Sequence, residues 1–255
     1  MCFRYFFPCL GILSLNLFIS FSVAAHAGTP MATRATVEAT VSADVTKDLE
    51  AAYTPHESLA GRTCLDGRPV DGFQGDIVEY WANLECSYCS ILEPVQAQRL
   101  NQSICIVVRH APSSGYGESL KKALNYEALS KFSRNTANMF WDSVMPKTTL
   151  GIPAPYEAAL LKAVEDAAIP PEDFLNVLGT EALEIVSKDV MAGQGYISST
   201  PTYVLAGIRF SACDFKAAEL PLALELAKKA QTGDESAITK AIAIIVNGHM
   251  NETML

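Results

Sequence analysis

Cys86 and Cys89, in the stretch Cys86-Ser87-Tyr88-Cys89, are the residues of this 255-residue chain whose type and spacing could do chemistry. Two cysteines separated by two residues can close a disulfide on themselves or supply half of a metal site. A structural zinc site needs four ligands and usually a second closely spaced pair, which this sequence lacks. No metal is therefore expected, and no cofactor beyond the pair itself. The chemistry carried forward is exchange between thiols and disulfides, in which a thiolate attacks a disulfide sulfur.

The flanks say how such a pair would be held. Asp76 to Ala82 is apolar and β-prone enough for a buried strand, and Ser90 to Leu100 carries apolar residues at helical spacing. The pair thus lies where a strand hands over to a helix. The unpartnered N–H groups and positive dipole end of that helix would stabilise a thiolate at Cys86, below the ordinary value of ~8.5. Cys89, one turn further in, would be the less exposed, resolving thiol. Pro94 falls inside this helix and is expected to bend it.

The remaining elements follow in order. Ile104 to Val108 reads as a buried strand completing a strand-helix-strand crossover, and His110 to Gly117 as a loop. From Ser119 to Gly193 the signals are helical: Leu120 to Leu129, Met139 to Met145, Ala158 to Ala167, Pro171 to Leu178 and Glu181 to Met191. Strands resume at Thr202 to Ala206 and Ile208 to Ser211 around Gly207, as a hairpin. Helices from Pro221 to Ala230 and Ser236 to Val246 close the chain. Gly61 to Gly75 reads as turns around one short strand.

Residues 1–27 have the form of a secretory signal: Arg4, an uncharged apolar stretch from Leu10 to Ala25, and small residues at Ala25-His26-Ala27. An uncleaved anchor from Tyr5 to Ala25 is the rival reading. Residues 28–61 read as a mobile arm, or as a short amphipathic helix through Val45, Leu49, Ala52 and Tyr53. Removal of the signal leaves Cys64, Cys86, Cys89, Cys105 and Cys213, in a compartment that favours disulfides. Cys105 sits in an apolar run and reads as a buried thiol, so by elimination Cys64 and Cys213 form the candidate structural bridge. The net charge is -9 with no basic run, which argues against nucleic acid and anionic membrane surfaces as partners.

The order of these elements, with Val108-Arg109-His110-Ala111-Pro112 after the central strand, Thr200-Pro201 before the hairpin and Pro94 after the second cysteine, resembles the DsbA-like family of secreted thiol-disulfide oxidoreductases. The resemblance covers roughly residues 62–231. It implies an α/β thioredoxin fold with an inserted helical domain. The parts would be 62–114 and 196–231 for the thioredoxin-like unit, 115–195 for the insert and 232–255 for a helical extension. It implies catalysis by Cys86 and Cys89, a cis bond at Thr200-Pro201 beside the pair, and tuning or substrate contact by Ser87, Tyr88 and Thr200. Glu79 would match the family's buried acid, a proton acceptor for Cys89. Ser199 departs from the family's usual glycine, and Ser87-Tyr88 departs from the Pro-His of strong oxidants. Implied partners are exported proteins with cysteines and a membrane or soluble redox protein that recycles the pair in the periplasm. Oxidase, isomerase or reductase, and a non-redox peptide-binding chaperone all remain open.

Overall fold

The computed structural model of the chain describes residues 59–112, 117–146, 152–211 and 216–247. The signal-like segment, most of the arm and Cys213 lie outside them.

Two runs of apolar and β-branched residues form the centre. Strand β1 (Asp76–Ala82) pairs in parallel with β2 (Ile104–His110), Asp76 opposite Ile104 and Ala82 opposite His110. Helix α1 (Leu92–Leu100) makes the crossover between them. Pro94 lies in the first turn of α1, where a missing N–H removes no intrahelical bond; the expected bend has no basis there.

The insert follows as α2 (Gly117–Phe132), α3 (Arg134–Val144), α4 (Tyr156–Asp166), α5 (Pro171–Val177) and α6 (Leu183–Gly193). A wider five-residue turn, Leu178–Ala182, joins the last two. Helix α3 begins several residues before its apolar stretch because Ser133 caps it, Ser133 Oγ accepting from Thr136 N at 3.2 Å. Pro171 opens α5 with Glu172 and Asp173 in its first turn.

After the insert, β3 (Thr202–Leu205) runs antiparallel to β1, and β4 (Ile208–Ser211) antiparallel to β3, giving the sheet order β2-β1-β3-β4. Their hairpin turn is Ala206-Gly207, with φ of 45° and 86°, the left-handed pair that a two-residue turn matching the strand twist requires. Helices α7 (Leu220–Gln231) and α8 (Glu235–Asn247) complete the described chain. The stretch before β1 contains, in place of the expected short strand, an isolated antiparallel bridge between Thr63 and Pro69.

Alternation along the strands divides the core. Val78, Tyr80, Ala82, Ile106, Val108, Tyr203 and Leu205 face the main cluster, shared with Ile91 and Ala97 near α1, Trp141 of α3 and Leu224 of α7. On the other face, Cys105 and Val107 join Leu59, Cys64 and Val70 in a small cluster.

That second cluster corrects the disulfide expectation. Cys64 is bonded to Cys105, Cα to Cα 5.1 Å, and not to Cys213. In a fully apolar strand the sequence does not mark which side chains turn to which face, so Cys105 read as an ordinary core thiol. The bond joins residues 41 positions apart in sequence and ties the segment before β1 to β2. The double substitution Cys64→Ala, Cys105→Ala should lower the free energy of unfolding in urea by roughly 2–4 kcal/mol.

Buried charges fasten the insert to the sheet. Asp189 of α6 accepts from Arg62 Nη1 at 3.0 Å, from Arg109 Nε at 2.5 Å and from the His110 backbone N–H at 2.9 Å. Arg62 also lies 3.6 Å from Glu127 of α2, which pairs with His110 Nε2 at 2.9 Å. Arg109 Nη1 donates to Glu79 at 2.8 Å. All of these side chains are almost fully buried.

Candidate functional site

Beyond Ala82 the chain leaves the sheet in a pair of tight turns, with Cys86 N–H donating to Asn83 O and Cys89 N–H donating to Cys86 O, each at 3.0 Å. The helix starts only at Leu92. Both cysteines therefore precede it, rather than Cys89 lying one turn inside. Ser90 Oγ accepts from the Leu92 N–H, Tyr80 Oη donates to Ser90 O at 2.8 Å, and Trp141 Nε1 donates to Cys89 O at 2.9 Å. The turn is thus held from the sheet below and from the insert beside it.

Cys86 and Cys89 are free thiols, the first half-buried and the second buried. Thr200-Pro201 is a cis peptide, and Thr200 O lies 3.3 Å from Cys86 Sγ. The topology explains the meeting: β1 leads into the cysteines, β3 is its antiparallel neighbour, and Thr202 opposite Trp81 brings the residues before β3 to the same sheet end. Ser87 is half-buried and Tyr88 exposed on this turn.

The surroundings push the two thiols apart. Cys86 is lowered to about 6, first because the Cys89 thiol donates to it; burial works the other way, and the Tyr88 N–H, the Thr200 side chain and the Cys89 N–H add to the lowering. Burial raises Cys89 well above its ordinary value, reinforced by Cys86. The thiolate is thus stabilised by its neighbour thiol, by the Thr200 side chain and by N–H groups of its own turn. Of the pair, Cys86 should be the thiol that iodoacetamide alkylates in reduced protein, at a rate that rises through pH about 6 and then levels. A midpoint near the free-thiol value would contradict this environment.

Glu79 is placed differently from the expectation. Val78, Tyr80 and Ala82 face the cysteines' core, so Glu79 and Trp81 face the other side of the sheet. There Glu79 Oε2 accepts from Trp81 Nε1 at 3.0 Å and from Arg109. Burial raises it to about 7, with Arg109 opposing. Its carboxylate belongs to the ion network across the sheet from Cys89, and the role of proton acceptor for that thiol has no support in this geometry.

Several residues around the pair went unnoticed in the sequence. Asn83 is the one with a local signal, a side-chain acceptor directly after a strand where Asx turns form. Its Oδ1 accepts from the Glu85 N–H at 2.9 Å, and its own N–H donates to Cys89 Sγ at 3.4 Å. Trp141 and Tyr80 had none, because their contacts to the turn are tertiary. Among the described residues no group of histidines, cysteines and carboxylates is arranged to hold a metal ion, and no helix is long and apolar enough to cross a membrane.

No family model and no curated protein matches the sequence. Solved structures do. A thioredoxin-like oxidoreductase from Silicibacter pomeroyi is 18% identical, with a TM-score of 0.52 over 69% of this chain and 99% of its own. A linker-deletion mutant of ScsC from Proteus mirabilis is 16% identical, with a TM-score of 0.51 over 77% of this chain and 86% of its own. The thiol-disulfide exchange protein alpha-DsbA2 from Wolbachia pipientis is 14% identical, with a TM-score of 0.48 over 78% and 100%. At this level of identity the likeness establishes the fold: α/β, thioredoxin-like, with a helical block between its two parts.

Proposed function

We propose that this thioredoxin-fold chain is a thiol-disulfide oxidoreductase that introduces disulfides into exported proteins by exchange through Cys86 and Cys89. The observation that carries the reading is the asymmetry of the pair: a half-buried sulfur ionised near neutral pH beside Thr200 and cis Pro201, and a buried partner held protonated.

In the oxidising direction a substrate thiolate attacks Cys86 Sγ of the closed pair. A sulfur-sulfur bond forms to the substrate, the Cys86-Cys89 bond breaks, and its electron pair leaves on Cys89. A second substrate thiolate then attacks the substrate sulfur and releases Cys86 as a thiolate. The substrate loses two electrons and two protons, and the pair gains them. Stabilisation of Cys86 as a thiolate favours this final departure, because it is the leaving group. Thr200 O beside Cys86 offers an acceptor to an extended substrate backbone, and the exposed Tyr88 offers it an aromatic surface.

A recycling redox protein, membrane-bound or soluble, completes the cycle, and the pair needs no other cofactor. The signal-like residues 1–27 support export to the periplasm, and the buried Cys64-Cys105 bond suits an oxidising compartment. The domain limits proposed from the sequence, 62–114 with 196–231 around an insert of 115–195, run with the order of the described elements.

Isomerase or reductase activity is the second reading, favoured by Tyr88 in the dipeptide and by Thr200 before the proline. The redox equilibrium of the pair with glutathione separates the two. A potential near ~-120 mV is expected of an oxidase, and one near ~-270 mV would assign a reductant. A pair inert to glutathione would leave a peptide-binding chaperone on this fold.

A further inference from the structure

We propose that Asn83, locked by Ser119 of the helical insert, positions the backbone N–H against which Cys89 departs when its disulfide with Cys86 is opened. The inference rests on the exchange reading above and deepens it, giving the insert a part in the chemistry.

Asn83 is tied to both ends of the active turn. Its carbonyl accepts from the Cys86 N–H, its Oδ1 from the Glu85 N–H, and its own N–H reaches Cys89 Sγ at 3.4 Å. The same Oδ1 accepts from Ser119 Oγ at 2.6 Å, and Ser119 is 1% exposed, in the first turn of α2. One helical turn further on, Lys122 pairs with Glu85. Asn83 and Glu85, two residues of the turn's first half, are therefore gripped by one face of α2. Rotation of Asn83 about its backbone would carry its N–H off the sulfur, and the Ser119 bond opposes that rotation.

The chemistry needs such a donor. When an entering thiolate bonds to Cys86 Sγ, the electron pair of the broken bond moves to Cys89 Sγ, in a site that is buried and already pushes this thiol upward. Exchange is faster when the leaving sulfur is better stabilised. A fixed N–H supplies that stabilisation without rearrangement at the moment the charge appears. Asn83 and Ser119 act through Cys89 and are positioning residues.

The test is reduction of the oxidised pair by glutathione, followed by stopped flow at one pH, in wild type, Ser119→Ala, Asn83→Ala and Asn83→Ser. Both alanine variants should slow the opening step by roughly fivefold, and Asn83→Ser, which keeps a neutral acceptor oxygen for the turn, should restore part of it. In a Cys86→Ala background, Ser119→Ala should raise the pH at which Cys89 ionises, read by thiolate ultraviolet absorbance. Folded alanine variants with a lower unfolding midpoint but an unchanged rate and an unchanged Cys89 titration would overturn the proposal. Should Asn83→Ala fail to fold, Ser119→Ala decides alone, since it removes one hydroxyl from outside the turn. Failure of the wild-type pair to react with glutathione would sink the exchange reading itself, and is visible before any variant is made.

Discussion

Cys86→Ala should abolish exchange, whereas Cys89→Ala should capture substrates as stable mixed disulfides on Cys86. The difference follows from the two environments. At pH 7 a thiol lowered to about 6 is mostly ionised, while a thiol raised well above its ordinary value is almost wholly protonated. Ionisation alone therefore separates their reactivities strongly, before burial of Cys89 is counted. In Cys89→Ala the Cys86 thiolate still attacks an external disulfide, but no internal thiol displaces the product. The same variant loses the Cys89 thiol as donor to Cys86, so its Cys86 should ionise at a higher pH than in the wild type. Non-reducing gels of each variant incubated with an oxidised protein substrate read the trapped species directly, and oxidation of a dithiol peptide reads turnover. Turnover by Cys86→Ala at the wild-type rate would remove this pair from the mechanism.

The parts of this site that were legible in the sequence are those encoded by neighbours along the chain. Strand β1, the turn, helix α1 and strand β2 each carry a local signature, and the resemblance that they supported also led to Thr200-Pro201, whose approach to Cys86 is tertiary. What was misread involves faces and termini. Cys105 sits in an apolar run with no alternation, so nothing local reports that it turns toward Cys64 and away from α1. Glu79 was matched to a family acid by its place on the strand before the cysteines, although it stands one residue further from Cys86 than usual, and alternation on β1 sends it to the other side from Tyr80 and Ala82. Helix α1 was expected to take in Cys89, since Ser90 and Ile91 suit a helix; the turn bonds through Asn83 and Ser90 hold them outside it. Cys86 is nonetheless lowered, as expected, with its neighbour thiol and groups of its own turn contributing.

The ion network was invisible for a further reason: its members are separated in sequence by as many as 127 residues, so no local signal marks their pairings. Its removal makes the largest stability prediction. Asp189→Ala would leave Arg62 and Arg109 buried beside Glu127 and Glu79 without the carboxylate that both contact, and would strip the His110 N–H of its acceptor. Loss of one partner of a buried pair commonly costs about 3–5 kcal/mol, so the thermal midpoint should fall by on the order of 10 °C. The flanking carboxylates give the network opposing pH dependences. Glu127 is held far below the usual carboxylate range by Arg62, His110 and Arg134 against the effect of burial, so its contribution is present above the ordinary value of ~4.3 and is lost as pH falls through the folded value. Glu79 is raised to about 7 by burial, so its contribution is present below ~4.3 and is lost as pH rises through about 7. Asp189 is one of the charges that raise Glu79. In Asp189→Ala the loss of stability that Glu79 contributes between pH 5 and 8 should accordingly be smaller than in the wild type, while the stability at every pH is lower. Urea unfolding of both proteins across that range measures the two effects together, and equal stabilities would mean that α6 is fastened to the sheet by packing alone.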